Sequence, residues 1–129
     1  MYQAELLSID SVSAAEREIS KIDVCAECVR IMRDKAVLRV VKLHGVRSAV
    51  ANILKQEMLS LGGDATVSQF TVNCARPKTD VLLMGTLKHY KHVIVKMRQQ
   101  GAARPSADKR DEYKAVADEL TLLLKKDLA

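Results

Sequence analysis

The sequence predicts an α+β domain, in which a mixed sheet of about four strands is covered by helices and a further helix follows at the C-terminal end. Short β-branched and aliphatic runs lie between longer segments whose apolar residues recur with helical spacing. The 129 residues are enough for one domain with one core, so residues 1–129 are assigned to a single domain. Hydrophobic residues make up 48% of the chain and charged residues 29%, which is the balance of an ordinary globular protein.

The first elements are predicted from alternation and from helix caps. Residues 2–9 alternate apolar and polar side chains, with Tyr2 and Leu6 on one face, and predict a first strand. Residues 13–16 form a capping-box pattern, in which the Ser and Glu side chains accept hydrogen bonds from each other's backbone N–H groups. That pattern predicts the start of a helix, and Asp23 is then the predicted N-cap of a short second helix.

A strand, a helix and a helix stop follow in the middle of the chain. Residues 36–43 are rich in β-branched and aliphatic side chains and predict a second strand, which Gly45 is expected to end. Residues 47–61 place their apolar side chains on one stripe and predict the third helix. Gly62 and Gly63 come next, and glycine readily adopts the left-handed backbone that ends a helix.

Two strands and a helix are predicted in the following segment. Residues 66–74 alternate in their later part and predict a strand. Residues 80–86 form a nearly continuous apolar run, so this strand is expected to be buried on both faces. Residues 88–100 have apolar side chains at helical spacing and predict the fourth helix.

The C-terminal helix is predicted to follow a linker over residues 101–105, with Ser106 or Asp108 as its N-cap. Helical crossovers should make the first strands parallel, with right-handed connections. The short connection between the last two strands favours an antiparallel pair. This combination is the reason why the sheet is expected to be mixed.

Composition and charge exclude some classes of function. The net charge of +5 permits a polyanionic partner, but acidic residues lie among the basic ones. A basic arm and aromatic residues for stacking are also missing, so nucleic-acid binding is kept only as an alternative. No apolar run approaches the roughly 20 residues that a membrane span needs. The first residues lack the pattern of a signal peptide, and a cytoplasmic location is therefore expected.

Two patterns that could bind a metal are interpreted as structural. Cys25 and Cys28 have the spacing of a zinc-binding or redox pair, and these roles stay open as alternatives. No second pair of this kind exists, and further ligands could come only from Cys74 and the histidines. His89 and His92 share a predicted helix face, but Lys88 and Lys91 beside them disfavour a cation, so the pair is interpreted as surface histidines. Neither a metal nor a cofactor is expected.

The pair Gly85-Thr86 ends a predicted strand and begins a helix. Its backbone N–H groups and the Thr hydroxyl are placed where a small anion could bind, and ligands gather at such strand ends in open α/β sheets. As a ligand-binding module the domain is expected to use Lys35, Asp64, Gly85 and Thr86. The glycines at 62–63 follow a helix, whereas phosphate-binding glycines precede one, so they are interpreted as a helix stop.

A polar row on the third helix is the candidate surface for a partner. Asn52, Gln56 and Ser60 recur at every fourth position, which places them on one helix face. A solvated face is the plain interpretation, and contact with a partner protein is the alternative. Homo-oligomerisation is a further expectation, since the edge strand of a sheet can pair with a second copy.

No catalytic residue is predicted. Neither a nucleophile beside a base nor a pair of carboxylates stands out in the sequence, so catalysis has no internal support. A non-catalytic domain is therefore favoured, and an enzyme of unknown type is kept as an alternative.

Four segments of the sequence carry a resemblance to a known family. They are residues 51–58 (ANILKQEM), 62–65 (GGDA), 79–86 (TDVLLMGT) and 96–100 (KMRQQ). In this order and spacing they resemble the N-terminal accessory region that lies ahead of the barrel in some bacterial dihydropteroate synthases. The similarity covers most of residues 31–100, so residues 1–100 are interpreted as a family-like core and residues 101–129 as a linker and C-terminal helix.

The resemblance implies an association with folate or pterin metabolism, without the condensation that the synthases catalyse. Their catalytic barrel takes about 250 residues, which this chain cannot hold. Their pterin-binding Asn and Asp motifs and their Lys…Arg-x-His end are also missing. Cys25-Ala26 stands where the family tends to have Asp-Pro, and Gln100-Gly101 where it tends to continue Gln-Pro-Phe. The implied partner is a dihydropteroate synthase barrel or another folate-pathway protein.

Overall fold

The structure is a computed structural model that describes residues 2–103 and 111–129. The elements in chain order are α1 (Val12–Ser20), α2 (Ala26–Arg33), β1 (Leu38–Arg47), α3 (Ser48–Leu61), β2 (Asp64–Val67), β3 (Lys78–Thr86), α4 (Leu87–Ala103), α5 (Glu112–Leu123) and α6 (Lys125–Leu128). The predicted α+β class and the C-terminal helix are confirmed. None of the described helices combines the length and the apolar character that crossing a membrane requires.

The sheet contains three strands in the described part of the chain, in the order β1-β3-β2, where about four were predicted. β3 pairs antiparallel with both neighbours, so the prediction of a mixed sheet is wrong. β1 and β2 do run in the same direction around α3, but β3 lies between them. The predicted strand at residues 2–9 does not form, since residues 2–10 are neither helical nor paired in the sheet.

The caps of the first two helices differ from the predicted ones. Ser11, two residues before the predicted box, caps α1, and its hydroxyl accepts the N–H of Ala14 at 3.1 Å. The earlier start lets Val12 pack with the small cluster formed around Val37. The residue at the N-cap of α2 is Cys25, which makes no side-chain capping bond. Asp23 adopts a left-handed backbone, with φ of 63°, outside the helix.

Gly45 does not end the second strand. β1 continues to Arg47, and its register with β3 shifts between Leu43 and Val46. Gly45 lies inside this irregularity with a φ of 63°, and its N–H donates to the Asp80 carboxylate at 3.0 Å. A glycine in a strand pattern marked a β-bulge, not a strand end.

The double-glycine stop of α3 is confirmed. Gly62 is left-handed, with φ of 100°. Its N–H donates to the carbonyl of Leu59 at 3.1 Å, and the N–H of Gly63 donates to that of Met58 at 3.0 Å. These two bonds form a Schellman motif, which satisfies carbonyls that the helix end leaves free.

The two strands after α3 differ from their predictions in length and in burial. β2 ends at Val67, and residues 68–77 form turns where the predicted strand would continue. β3 alternates, with Val81 and Leu83 fully buried and Leu82 37% exposed. The prediction of burial on both faces is therefore wrong. The helices cover one face of the sheet, and the other face is open.

The C-terminal part extends the predicted helices. α4 runs to Ala103, so the first residues of the predicted linker at 101–105 are helical. The predicted caps Ser106 and Asp108 lie outside the described residues. α5 is capped by Asp111, whose carboxylate accepts the N–H of Lys114 at 2.8 Å.

The main core lies between the covered face of the sheet and helices α3, α4 and α5. Its largest fully buried side chain is Tyr90 of α4. The Tyr90 hydroxyl donates towards the carbonyls of Arg39 and Leu83, at 2.8 and 3.2 Å. Burial raises the pKa of Tyr90 to about 12. The hydroxyl thus links α4 to β1 and β3 at the end of the sheet where the candidate site lies.

Candidate functional site

A cavity of about 270 Å³ lies beside the N-terminal end of α4. We call it the basic pocket, and its lining residues are Lys35, Leu61, Thr86, Lys88, His89 and His92. Two residues of the predicted ligand set, Lys35 and Thr86, come together here although they belong to different segments. Apart from His92, which lies in the second turn of α4, these side chains come from the end of an element or from a turn, where the backbone changes direction.

Pairing between β1 and β3 brings the turn after α2 against the start of α4. Leu38 at the start of β1 lies opposite Thr86 at the end of β3. The N–H of Leu87 donates to the carbonyl of Val37 at 3.1 Å, and that of Lys88 to the carbonyl of Asp34 at 3.3 Å. Lys35 is therefore held next to the first turn of α4.

These bonds also occupy the backbone donors that the sequence reasoning assigned to an anion. The first N–H groups of a helix have no partner within it and can bind anions when they are free. Here the N–H of Thr86 donates to Nδ1 of His89 at 2.9 Å, and the next two N–H groups reach Val37 and Asp34. Side chains, not this part of the backbone, are the donors left for a ligand.

His89 acts as a helix-capping residue that the sequence reasoning missed. It reaches back three positions to the N–H of Thr86, as Glu or Gln does in a capping box. Since Nδ1 accepts this bond, the neutral ring carries its proton on Nε2. The spacing Thr-x-x-His at residues 86–89 was the signal that could have identified this role.

Gly85 supports this ring and does not line the pocket. A Cβ at Gly85 would lie 3.0 Å from the terminal methyl of Met58 and 3.1 Å from Nδ1 of His89. Glycine therefore lets the His89 ring pack directly over the end of β3. Gly85, one of the predicted ligand residues, therefore lies behind the wall of the pocket and is not in contact with its cavity.

Asp64 is not among the residues that line the basic pocket. It is exposed at the start of β2, and its carboxylate accepts the N–H of Ala65 at 2.7 Å. In the sheet it is opposite Met84, with its side chain on the open face. The structure thus brings Lys35 and Thr86 together but does not add Asp64 to them.

The charge of the basic pocket is uncompensated. None of its lining residues is acidic. Lys35 and Lys88 form no ion pair with any residue that the structure describes, whereas the neighbouring Asp34 is already paired with Lys91 at 2.7 Å. Two free ammonium groups and two imidazoles therefore face one small cavity, which favours a carboxylate or phosphate group.

A second, larger cleft of about 550 Å³ lies on the open face of the sheet. Its basic side chains are Lys42, Arg76 and Lys78, and the Arg76 guanidinium stacks on the Phe70 ring at 4.0 Å. Asp80 also lines this cleft, so its charge is mixed. The cleft was not predicted from the sequence, because it is formed by the β1 bulge and the turns of residues 68–77.

The polar row of α3 is partly used within the chain. The Asn52 amide donates to the carbonyl of Thr71 at 2.8 Å. The Ser60 hydroxyl donates to the carbonyl of Glu57 at 2.7 Å and accepts from Lys96 at 3.3 Å. Gln56 is exposed and has no hydrogen bond within the described residues. A role of this row in binding a partner stays a prediction.

The cysteines show no pairing. Cys25 and Cys74 are exposed and Cys28 is half-buried, and all three are free thiols. Within residues 2–103 and 111–129, no group of three His, Cys, Asp or Glu side chains is placed to hold a metal ion.

Comparison with known proteins gives one folate-related relative. The chain is 33% identical over 105 residues, or 80% of its length, to a protein of Halobacterium salinarum named as a probable bifunctional folylpolyglutamate synthase/dihydropteroate synthase. The chain spans only 13% of the length of that relative. No family model matches the chain, and no solved structure matches it. The similarity therefore supports a folate-related relationship of the chain.

Proposed function

We propose that this protein is a non-catalytic accessory domain of folate metabolism, and that it binds a small anionic ligand in the basic pocket. The observation that carries the proposal is the convergence of Lys35 and Lys88, both without an ion pair in the described structure, on one cavity without acidic side chains. Each hydrogen bond from such a cation to an anion contributes about 1.5–3 kcal/mol. Two such donors are enough for a weak, specific site.

The ligand class follows from the size of the cavity and from the folate-related relative. A volume of about 270 Å³ is below the roughly 300–1,000 Å³ of sites that enclose a whole drug-sized ligand. We therefore propose that the pocket takes one anionic end of a larger molecule. Folates end in glutamate carboxylates, which suit two ammonium groups, and the half-buried Leu61 supplies an apolar wall.

The non-catalytic character is supported by the arrangement of Thr86 and His89. The Thr86 hydroxyl lies 3.3 Å from Nδ1 of His89, which is the spacing of a nucleophile and its base. However, this nitrogen already accepts the Thr86 N–H at the shorter distance of 2.9 Å. Among the residues that the structure describes, no acidic side chain lines the pocket to orient the ring as a third group would. A capping role accounts for the pair more simply than catalysis does.

Isothermal titration calorimetry with folic acid, pteroic acid and inorganic phosphate tests this proposal. We expect folic acid to bind more tightly than pteroic acid, which lacks the glutamate. In the double variant Lys35→Ala/Lys88→Ala, affinity should fall by roughly a hundredfold, because about 1.5 kcal/mol is lost for each of the two cations. The matched control Lys125→Ala/Lys126→Ala removes the same charge from exposed α6 and should bind as the parent does.

The outcomes separate the proposal from its alternatives. Equal loss of affinity in both double variants would mean that net charge alone attracts the ligand. An absence of heat with all three ligands would contradict the proposal. Turnover of any of them would replace it by an enzymatic function.

Contact with a partner protein is the second part of the proposed accessory role. It is supported by the relative, in which the region similar to this chain is a small part of a bifunctional enzyme. The expected partner is a dihydropteroate synthase barrel or another folate-pathway protein in the cytoplasm. Comigration of the two proteins on a sizing column, weakened by Gln56→Glu in the exposed polar row, tests this contact. Comigration that Gln56→Glu leaves unchanged would assign the contact to another surface.

A further inference from the structure

We propose that the leading segment, residues 2–10, adds as a strand over residues 2–8 to the outer edge of β1 in a second copy of the chain. The result is a dimer in which the leading segments are exchanged. The inference is independent of the proposed ligand, because neither the leading segment nor the edge of β1 contributes a side chain to the basic pocket.

The leading segment has the sequence of a strand but no strand partner within residues 2–103 and 111–129. Tyr2 and Leu6 lie on the same face of its alternating pattern, and both side chains are fully exposed in the single chain. Exposed apolar side chains at period two, outside any sheet, are unusual for a chain that stays alone. The pairing that this alternation predicts is therefore unfulfilled within one copy.

The base of the leading segment is fixed beside β1. Ile9 packs against the small core cluster that includes Val37. The carbonyl of Asp10 accepts a hydrogen bond from the Arg39 guanidinium at 2.5 Å. The C-terminal end of the leading segment is therefore held at the edge of the sheet. From this position the residues before it can extend to the same edge of a second copy.

The acceptor is the outer edge of β1. β1 is an end strand of the sheet, and its outer backbone groups pair with no strand in the described residues. An unpaired edge of ten residues is a ready template for another strand. Leu38 and Val40, on the open face of β1, are 60% and 58% exposed. An added strand carrying Tyr2 and Leu6 on that face would cover them.

Charge and length identify the second copy as the occupant. β1 carries no acidic residue, and of its three cations Arg39 is paired with Asp127 and Arg47 with Glu112, which leaves Lys42 without an ion pair in the described residues. The leading segment carries Glu5 and Asp10 and no basic residue. Residues 2–8, ahead of the fixed base, extend over about 23 Å at roughly 3.3 Å per residue, which covers about two thirds of the ten residues of β1. A two-fold axis would let each copy donate one segment and accept one, so the contact closes at two copies.

Light scattering on the whole chain and on three variants tests the dimer. The parent should have twice the chain mass of 14.3 kDa. Leu6→Asp and Val40→Asp change the two exposed partners of the proposed contact and should give the mass of one chain. Leu122→Asp is the matched control on α5, where the side chain is 70% exposed, and it should stay dimeric.

Three results would overturn the inference. The first is a parent protein with the mass of one chain. This result includes the case in which hydrogen exchange shows that β1 is protected by the leading segment of the same chain. Another is a dimer that Leu6→Asp leaves unchanged. The third is a dimer that dissociates equally with Leu122→Asp, because α5 would then form the interface.

Discussion

At the scale of single residues, His89 and Tyr90 connect the fold to the candidate site. The two side chains leave the first turn of α4 in different directions. His89 caps the helix and lines the basic pocket, while Tyr90 is fully buried under the sheet. The position of the pocket therefore depends on two polar contacts that the apolar pattern of α4 does not reveal.

The capping bond of His89 predicts a difference between two substitutions. His89→Ala removes the acceptor of the Thr86 N–H and should lower the free energy of unfolding by about 1 kcal/mol, as the loss of other helix caps does. His89→Gln keeps an acceptor three residues after Thr86, as in a capping box. It should lower the free energy of unfolding by less than half as much as His89→Ala does. Urea unfolding of both variants measures the difference. Equal destabilisation by the two substitutions would show that packing of the ring, not the hydrogen bond, stabilises the start of α4.

Tyr90→Phe should change both the stability and its dependence on pH. Near pH 8 the variant loses a hydroxyl bonded to two carbonyls and should be less stable by about 1 kcal/mol. Burial raises the pKa of Tyr90 from 10.0 to about 12, so its ionisation favours the unfolded chain. The parent therefore loses stability as the pH rises from 10 towards 12, by roughly 1.4 kcal/mol at pH 11.

Urea unfolding at pH 8 and pH 11 checks this prediction. The phenylalanine variant has no hydroxyl to ionise, so the gap between parent and variant should close or reverse at pH 11. A gap that stays constant between the two pH values would contradict the assigned role of the buried hydroxyl.

At the scale of elements, α3 anchors the turns of residues 68–77 to the body of the domain. The hydroxyl of Ser48 donates to the carbonyl of Arg76 at 2.6 Å. Further along the helix, the Asn52 amide donates to the carbonyl of Thr71 at 2.8 Å. The polar row thus has a structural use at its first position, whereas Gln56 is exposed.

This anchoring predicts that Asn52→Ala will loosen residues 68–77. Removal of the amide leaves the Thr71 carbonyl without this partner. The free energy of unfolding should therefore fall by about 1–2 kcal/mol. Limited proteolysis should then cut within these turns faster than in the parent. Gln56→Ala, one helical turn away on the same face, is the control and should be cut at the parental rate. Equal cutting rates for Asn52→Ala and the parent would contradict the anchoring role.

Local patterns predicted the helices better than the strands, for physical reasons. The end of α3 at Gly62 was predictable because a glycine stop acts within one turn of the chain. The extent of β1 was not, because Gly45 is held in a bulge by Asp80, a partner distant in sequence. The strand pattern of residues 2–9 lacks a partner in one copy, and pairing cannot be read from a single segment.

The candidate site was predictable only in part. Lys35 and Thr86 were predicted and lie together, whereas Asp64 lies on the open face of the sheet. Lys88 and His92 were interpreted only as part of a helix surface. They join the site because the register of β1 on β3 brings the turn after α2 to α4, and this register is a property of the folded sheet.

At the scale of the whole molecule, the proposed sites of ligand binding and self-association lie on separate surfaces. The basic pocket lies at the N-terminal end of α4, and the proposed dimer contact follows the outer edge of β1. Leu6→Asp should therefore leave the affinity for folic acid unchanged, and Lys35→Ala/Lys88→Ala should leave the dimer intact. Coupled changes would show that the two surfaces depend on each other.

A map of backbone amide chemical shifts during titration with folic acid shows whether the basic pocket is where an anionic ligand binds. We expect the largest shifts to cluster at Lys35 and at residues 86–92 and to saturate. They should disappear in Lys35→Ala/Lys88→Ala. Shifts confined to Lys42 and Lys78 in the cleft on the open sheet face, or no saturable shifts at all, would contradict binding in the basic pocket.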